Sequence, residues 1–462
     1  MRNLKHCLMA VCIALGLTLL FSSHAQNIFR NETTTAAGHS TWDADLINVE
    51  FVPQTGRGVY VAVLDSGLVP NWRDYFPEAR VATALGMGFY QHINFRAGEA
   101  DSCLVEVEVG PLHTTSWVGS NGSSHGTHVA STIIGYFYRS NVDAAQGFPL
   151  PPIMVRGIAP DVTIIPVQVL ADYPIPALPK CGVPGGIDAI FGTESMVAAG
   201  IRYVTQLKQA GYSPMVITMS LGADVPVPEV KAAIDDAIAN GVIVVVAAGN
   251  AGEGGMGYPG AYPPVISVGS VGWVGEWLQP TDGNPFYRMW WLQYPFAPLL
   301  PGSGDVRDST SANDVYVSDF SSRALPGQEL DVLAPGSAVR GPFEVGPGFS
   351  HLPWWSKSIA DLRNRAGNLR VFFYVGGTSM ATPHVASAAA LMLQKNPNLT
   401  QAQIESILKS TALAMPSSGS RSVFDPADGY LTILWDTDCD GTPCDPVGAG
   451  VIQVDLALPA TP

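Results

Sequence analysis

The chain has 462 residues, 47% of them hydrophobic and 14% charged, with a formal net charge of −15 at neutral pH. This length suits one large domain or two to three ordinary ones, and the hydrophobic content is sufficient for a large core. Because binding to nucleic-acid phosphates requires clustered Lys and Arg, the acidic balance argues against nucleic acid as a partner.

The N-terminus has the three parts of a secretory signal peptide. Arg2 and Lys5 are positively charged, residues 7–21 form an apolar run, and residues 23–25 (Ser-His-Ala) offer a small-residue cleavage site. The run is short for a membrane span, and no later apolar stretch reaches about 18 residues. We therefore expect residues 1–25 to be removed from a secreted protein that has no membrane anchor.

Strand and helix patterns alternate along the rest of the chain. Short apolar runs that stop at turn-forming residues predict buried strands at residues 59–64, 162–170, 215–220, 242–248 and 265–269. Apolar residues at helical spacing predict helices at residues 128–136, 194–209, 229–240, 383–395 and 400–411, the last with Thr400 as its N-cap. Such alternation predicts an α/β fold: three α/β/α layers with a mostly parallel central sheet, in a single domain.

Four polar residues lie at the ends of these elements. Asp65 ends the first strand, His125 opens a helix, Asn250 follows the strand at 242–248, and Ser379 lies between a glycine turn and an apolar helix. Backbone N–H groups at a helix N-terminus can receive a developing negative charge, which suits a reactive hydroxyl. Each residue also has a plain structural interpretation: turn-forming Asp and Asn, structural or metal-binding His, and N-cap Ser.

Taken together, these segments resemble the subtilisin-like serine peptidase family. The matching motifs are VAVLDSG around Asp65, HGTHVA around His125, SLG at Ser220–Gly222, AAGN at Asn250 and GTSMATPHVA around Ser379. The chain order Asp, His, Ser is the order used by subtilisin. The resemblance runs from about Trp42 to Leu456 and implies a subtilisin-like fold and a secreted serine endopeptidase.

The resemblance also implies a role for each polar residue. His125 takes the proton of the Ser379 hydroxyl and later protonates the leaving amine, while Asp65 fixes the imidazole tautomer and stabilises its cation. The Asn250 amide and the Ser379 N–H bind the oxyanion. This chemistry requires no cofactor.

Substrate-binding residues follow from the same resemblance. Ser220, Leu221 and Gly222 are expected to pair with the peptide as an added strand, which favours broad specificity. The primary pocket is expected to have walls from Ala247, Ala248 and Gly249 and a floor at Gly257. Small walls and a glycine floor predict a preference for Phe, Tyr, Leu or Met before the cleaved bond.

Four cysteines remain after the expected cleavage: Cys103, Cys181, Cys439 and Cys444. Four cysteines allow three pairings, and an exported chain favours disulfides. Cys439 and Cys444 are close enough in sequence to form a small loop, which would leave Cys103 with Cys181.

The aspartates at 436, 438 and 440 leave two interpretations open. Asp436, Asp438 and Asp440 alternate before Gly441, as at the start of a calcium loop, but Val447 stands where such a loop requires Glu. The alternatives are a calcium site and a solvated acidic turn. The family resemblance separately implies structural calcium elsewhere in the fold.

The mature chain divides into a short extension, residues 26–41, and a catalytic domain, residues 42–462. Insertions relative to the family are expected near residues 86–120, 276–314 and 341–370. The stretch before Asp65 leaves no room for a long pro-segment.

The aromatic, Pro-rich insertion at 276–314 has two interpretations. It is either a loop packed on its own side chains or a rim of the cleft that binds a partner.

The sequence also leaves two alternative functions open: a catalytically silent binding protein on the same fold, and a processing peptidase with one dedicated partner. We expect a monomer that acts on proteins or peptides.

Overall fold

A mostly parallel sheet forms the centre of the molecule. The computed structural model describes residues 29, 31–97, 105–138, 153–175, 187–276, 306, 310–344, 372–425 and 429–462. The expected signal peptide, and most of the expected insertions at 276–314 and 341–370, lie outside these residues. Among the described residues, no helix is both long and apolar enough to cross a bilayer.

Nineteen strands are defined in the described part of the chain. They are β1 (Tyr60–Asp65), β2 (Met87–Ala97), β3 (Val105–Thr115), β4 (Gly135–Tyr138), β5 (Ile153–Arg156), β6 (Thr163–Gln168), β7 (Ala171–Ile175), β8 (Ile187–Phe191), β9 (Met215–Met219), β10 (Ile243–Ala247), β11 (Ile266–Trp273), β12 (Val315–Val317), β13 (Val332–Pro335), β14 (Val339–Pro342), β15 (Phe372–Val375), β16 (Gly419–Asp425), β17 (Gly429–Trp435), β18 (Asp438–Cys439) and β19 (Thr442–Pro443). The α-helices are α1 (Trp42–Leu46), α2 (Ser124–Ile134), α3 (Glu194–Gln209), α4 (Pro228–Ala239), α5 (Thr378–Lys395), α6 (Gln401–Thr411) and α7 (Val454–Ala460).

The main sheet has the order β12-β11-β10-β9-β1-β6-β2-β3, with β13 also paired to β11. The six pairs that join β2, β6, β1, β9, β10, β11 and β13 are parallel, and only β3 and β12 are antiparallel to their neighbours. All five predicted strands belong to this sheet. The continuous apolar sequences of β1, β9 and β10 follow from burial on both faces.

Helices cover both faces of the sheet. One apolar core lies between the sheet and α2, α5, α6 and α7, and a second lies between the sheet and α3 and α4. The predicted three-layer arrangement in one domain is therefore confirmed.

Two predicted helix boundaries were wrong. The helix predicted at 128–136 is α2, which begins at Ser124 and ends at Ile134, because Gly135 has a φ of 72° and starts β4. The helix predicted at 383–395 is α5, which begins five residues earlier, at Thr378. Pro383 therefore lies inside α5 rather than in its first turn.

Residues 86–120 extend the sheet. β2 and β3 form a long antiparallel hairpin at the sheet edge, with β2 joined to β6 by a short parallel pairing. The insertion predicted near residues 86–120 therefore contributes two strands, β2 and β3, to the edge of the main sheet. Cys103 lies between these strands, outside the described residues.

The segment at 31–41 is packed against the domain. Thr35 is fully buried, and its hydroxyl donates a hydrogen bond to the carbonyl of Ile134 at 2.5 Å. His39 pairs with β5 through backbone hydrogen bonds to Met154 and Arg156. This part of the predicted extension at 26–41 is integral to the fold.

Candidate active site

The carboxyl ends of three neighbouring strands meet at one edge of the sheet. Leu64, Met219 and Val246 lie in register across β1, β9 and β10. The residues that follow them, among them Asp65 and Ser220, therefore lie side by side. Open α/β sheets build their binding sites at this edge.

Asp65 and His125 form a direct contact at this edge. Nδ1 of His125 lies 2.8 Å from Oδ1 and 3.0 Å from Oδ2 of Asp65, whose side chain is almost fully buried. The backbone N–H of Ser66 donates to the same carboxylate at 2.6 Å. A carboxylate that accepts from Nδ1 leaves the opposite nitrogen, Nε2, available to act as a base.

Gly126 lets the backbone of α2 come close to the end of β1, which makes the contact between His125 and Asp65 possible. A Cβ on Gly126 would lie 2.4 Å from the carbonyl oxygen of Gly67 and 3.1 Å from Oδ1 of Asp65. The N–H of Gly126 instead donates to the Ser66 hydroxyl at 3.0 Å. The glycine of the HGTH motif is therefore required so that α2 can reach the end of β1.

The pKa of His125 is raised above its ordinary value of 6.5. Burial alone would lower this pKa, but the negative charge of Asp65 and the hydrogen bond to it outweigh burial. The ring is still 26% exposed, so it can reach a substrate in the cleft.

Ser379 is the second residue of α5 and is bonded to the end of β9. Its hydroxyl donates to the carbonyl of Ser220 at 3.3 Å, and the Ser220 hydroxyl donates to the carbonyl of Ser379 at 2.7 Å. Pro383, four residues further along α5, has no N–H to donate to the Ser379 carbonyl. The Ser220 hydroxyl replaces that missing helical donor.

His125 and Ser379, both within the described residues, are not joined by a hydrogen bond. The Ser379 hydroxyl is turned toward Ser220 instead. Catalytic hydrogen bonds are often loose without substrate, and a rotation about the Cα–Cβ bond of Ser379 reorients its hydroxyl.

Asn250 and the start of α5 present two hydrogen-bond donors together. Oδ1 of Asn250 accepts from the N–H of Thr378 at 2.9 Å and from its hydroxyl at 3.0 Å, which fixes the orientation of the amide. Nδ2 of Asn250 and the backbone N of Ser379 both lie 3.6 Å from where a Cβ on Gly377 would stand. A side chain at residue 377 would cover both donors, and glycine leaves them open.

Two cavities flank the Ser220–Gly222 segment. We call the first, of about 540 Å³, the cleft channel; its wall includes His125, the segment itself, Leu170, Phe191 and Glu344. The second, of about 520 Å³, we call the primary pocket; it lies beside Ser379 and Asn250. Both cavities share Leu221, Gly222 and Ala223 in their linings, so they are adjacent.

The primary pocket contains most of the residues predicted for it. Ala247, Gly249 and Gly257 line it, whereas Ala248 points the other way and is buried in the core. Alternation along β10 explains this, because consecutive side chains of a strand point to opposite faces. Eight further lining residues were not predicted from the sequence: Ala223, Asp224, Ala251, Gly254, Gly255, Met256, Ser322 and Thr378.

Thr378 is a residue of the quoted motif whose role went unrecognised. Besides its two bonds to Asn250, its hydroxyl accepts the N–H of Gly249 at 3.2 Å. It therefore links the pocket wall to the start of α5. The sequence signal that could have identified Thr378 as a site residue was its position next to Ser379.

The three aspartates proposed for calcium do not converge. Oδ1 of Asp436 accepts the N–H of Asp438 at 2.9 Å, and Oδ1 of Asp438 accepts the N–H of Gly441 at 2.7 Å. These contacts are those of an acidic turn, in which the carboxylates cap the backbone rather than face one another. These three carboxylates do not form a compact group in the described part of the chain, and calcium at this turn stays a prediction.

One compact group of acidic side chains occurs in the described part of the chain, at Glu329, Asp331 and Glu405. The ammonium of Lys409 already lies among them, at 2.6, 2.9 and 3.4 Å. The positive charge that such a group requires is therefore supplied by the protein itself.

A disulfide joins Cys439 and Cys444, as their spacing predicted. It closes the small hairpin of β18 and β19. Cys103 and Cys181 lie outside the described residues, so their pairing stays a prediction.

Comparison with known proteins identifies relatives. The model of the Subtilase family matches residues 56–430. Subtilisin of Bacillus pumilus is 30% identical over 368 residues, which cover 79% of this chain and 87% of the relative. Subtilisin DY of Bacillus licheniformis is 31% identical over 303 residues, 65% of this chain and 74% of the relative.

Solved structures show the same architecture. Sphericase superposes with a TM-score of 0.50 at 23% identity, covering 91% of this chain and 99% of its own. S41 Psychrophilic Protease gives a TM-score of 0.50 at 22% identity with the same coverage. At this identity the likeness supports the fold alone.

Proposed function

The chain belongs to the subtilase family and is a serine-type endopeptidase, and on this premise we propose that Asp65, His125 and Ser379 are its catalytic triad. The contact between Asp65 and His125 is the observation that supports this assignment most strongly. Family membership indicates the type of reaction, and the three residues named here provide the groups that we propose to carry it out.

Acylation begins when the Ser379 hydroxyl turns from the Ser220 carbonyl toward Nε2 of His125. The hydroxyl oxygen attacks the peptide carbonyl carbon while its proton passes to Nε2. The resulting oxyanion accepts hydrogen bonds from Nδ2 of Asn250 and the N–H of Ser379, and loss of one such donor typically costs about 2.7–4 kcal/mol. The C–N bond then breaks, and His125 gives its proton to the leaving amine.

Deacylation repeats these steps with water. His125 takes a proton from water, the hydroxide oxygen attacks the ester carbon, and the Ser379 oxygen leaves with the proton from His125. Asp65 stays ionised and stabilises the imidazolium in both halves of the reaction.

Peptide binding uses backbone groups of Ser220, Leu221 and Gly222 as an added strand. The primary pocket, of about 520 Å³, has Ala247, Gly249, Met256 and Gly257 in its lining together with the polar Asp224 and Ser322, and its size and small wall residues support a large apolar side chain before the cleaved bond. A peptide library tests this preference, and cleavage mainly after Lys, Arg or Asp would contradict it.

Export is part of the proposal. The leader-like residues 1–25 support secretion, and the disulfide between Cys439 and Cys444 suits an oxidising compartment. N-terminal sequencing of the protein from the medium tests it, and retention of residue 1 on active intracellular protein would contradict it.

The central experiment compares the wild-type protein with Ser379→Ala on a peptide pool. We expect a loss of about 10⁴-fold or more in kcat, because the nucleophile is removed while binding is retained. A serine-directed phosphonate should label the wild type alone. Labelling of another serine, or equal activity of the variant, would contradict the assignment.

A further inference from the structure

Glu344 stands out among the residues of the cleft channel. Glu344 lies two residues after the end of β14. It lines the cleft channel together with His125 and Leu221. No lysine or arginine belongs to this lining, as far as the chain is described. The channel is otherwise rich in apolar side chains such as Leu170 and Phe191.

The carboxylate of Glu344 is held by neutral donors. Its Oε1 accepts hydrogen bonds from the Tyr75 hydroxyl and from Nδ2 of Asn71, the latter at 2.6 Å. Its backbone carbonyl accepts from the hydroxyl of Ser124, the neighbour of His125, at 2.6 Å. These contacts fix the orientation of the carboxylate of a residue that lines the same channel as His125, and they add no positive charge to it.

Tyr75 is suited to act as a fixed neutral donor. It is buried, and its ring meets Phe372 edge to face at 5.7 Å. Burial, together with the charge of Glu344, raises the pKa of Tyr75 far above its ordinary value of 10. The phenol therefore stays protonated and adds no charge of its own.

Nearby cations of the described chain are engaged elsewhere. Arg73 pairs with Glu78 at 2.9 Å and stacks over the ring of Trp72. No ion pair of Glu344 occurs among the described residues, and no hydrogen bond to its Oε2 is found there either. A rigid anion with one open oxygen can receive a single N–H donor from a bound molecule.

We propose that Glu344 is a specificity residue that binds a basic side chain, lysine or arginine, of the peptide substrate next to the scissile bond. This rests on the proposed peptidase function and adds a second determinant to the apolar primary pocket. A preorganised carboxylate at the cleft requires no reorganisation when the cation arrives. Its attraction weakens with salt because the site is open to solvent.

The test uses pairs of fluorogenic peptides that share an apolar residue before the cleaved bond. Each pair differs only by lysine or glutamine at one of the other positions on either side of that bond. For wild-type protein at low salt, we expect kcat/KM to favour lysine about fivefold at one position. That ratio should fall toward one in Glu344→Gln, which keeps the acceptor Oε1 and removes the charge.

Three comparisons make the result decisive. Asp235→Asn, a remote change of equal charge on α4, should leave the ratio as in wild type. Raising NaCl should reduce the wild-type ratio but not that of Glu344→Gln. A ratio near one at every position in wild type would overturn the proposal. So would a lysine preference that survives in Glu344→Gln and disappears in Glu194→Gln, the other glutamate of the channel lining.

The glutamine peptides separate this inference from the proposed function. Their cleavage by wild type and not by Ser379→Ala tests the triad alone. If they are cleaved while the lysine preference is absent, only the role of Glu344 fails. If Ser379→Ala cleaves them as well as wild type, the proposed function fails and the role of Glu344 with it.

Discussion

At the scale of single residues, the Ser220 hydroxyl has a structural role in addition to the peptide-binding role proposed for this residue. It donates to the Ser379 carbonyl, which Pro383 leaves without a helical donor. We expect Ser220→Ala to lower the free energy of unfolding by about 1 kcal/mol, because the partly buried carbonyl of Ser379 loses its partner. Urea unfolding in a Ser379→Ala background measures this without self-digestion.

Pro383→Ala is the matched partner of that variant. It restores a backbone N–H four residues after Ser379, so it should recover part of the stability lost in Ser220→Ala. Strictly additive losses in the double variant would show that the hydroxyl does not replace the helical bond.

His128 predicts how stability depends on pH. Burial, together with the charge of nearby His125, lowers the pKa of His128 to about 4 from 6.5. The unfolded chain therefore binds the extra proton first, so stability is complete above pH 6.5 and falls as pH drops toward 4. The loss should reach about 3 kcal/mol, from about 1.4 kcal/mol for each pH unit of this window.

A variant isolates this effect. Glutamine at residue 128 can still donate to the Val339 carbonyl, which His128 contacts at 3.1 Å, but it does not titrate. Urea unfolding of inactive protein at several pH values should give a smaller slope for His128→Gln. Equal slopes would assign the acid sensitivity to other groups.

The pH profile of activity follows from His125. A general base must be neutral, so activity should be lost as pH falls through a pKa above 6.5, the direction in which Asp65 shifts it. Asp65→Asn should move this limb to lower pH and reduce kcat by about 10⁴-fold. A limb that stays in place in Asp65→Asn would mean that another group controls it.

At the scale of elements, α1 and α5 are joined by a buried polar contact. Nε2 of His384 lies 3.0 Å from Oδ2 of Asp43, and its Nδ1 donates to the Met380 carbonyl at 2.9 Å. We expect Asp43→Ala to cost about 3 kcal/mol, since it leaves a buried ring nitrogen without its partner. Chemical denaturation of inactive protein measures the loss, and a change below about 0.5 kcal/mol would contradict it.

Elements with local chemistry were predictable, and those defined by distant partners were not. The helix at 400–411 was predicted with Thr400 as N-cap, and the structure adds a capping box with Gln403. The start of α5 was missed because the acceptor for the N–H of its first residue, Thr378, is Asn250, which lies 128 positions away in sequence. The hairpin of β2 and β3 was missed because its pairing joins residues from 8 positions apart (Ala97 and Val105) to 27 positions apart (Gly88 and Thr115).

The candidate site divides in the same way. Short motifs identified Asp65, His125, Asn250 and Ser379 because each motif carries its own turn. Glu344 carries no such motif, since its contacts to Asn71 and Tyr75 cross about 270 residues of sequence. To predict that the Ser220 side chain acts as a donor, one must know which carbonyl of α5 lacks a helical partner.

At the scale of the whole molecule, the packed N-terminal segment makes a prediction about truncation. The Thr35 hydroxyl bonds to the Ile134 carbonyl and lies 3.3 Å from the N–H of Gly157. Deleting residues 31–40 should lower the free energy of unfolding by at least about 2 kcal/mol, because both groups lose a buried partner. Thr35→Val is the single-residue counterpart, and unchanged melting of both variants would indicate a loose tail.

The hydrogen bond from the Ser220 hydroxyl to the Ser379 carbonyl ties the backbone that carries the proposed nucleophile to the segment proposed to bind the peptide. A peptide aligned along that segment is then positioned by the spacing of its own main-chain atoms. An analogue with one additional methylene in its backbone, such as a β-amino acid before the scissile bond, would still fill the cavities yet hold its carbonyl carbon away from the oxygen. Such peptides should act as competitive inhibitors that resist hydrolysis.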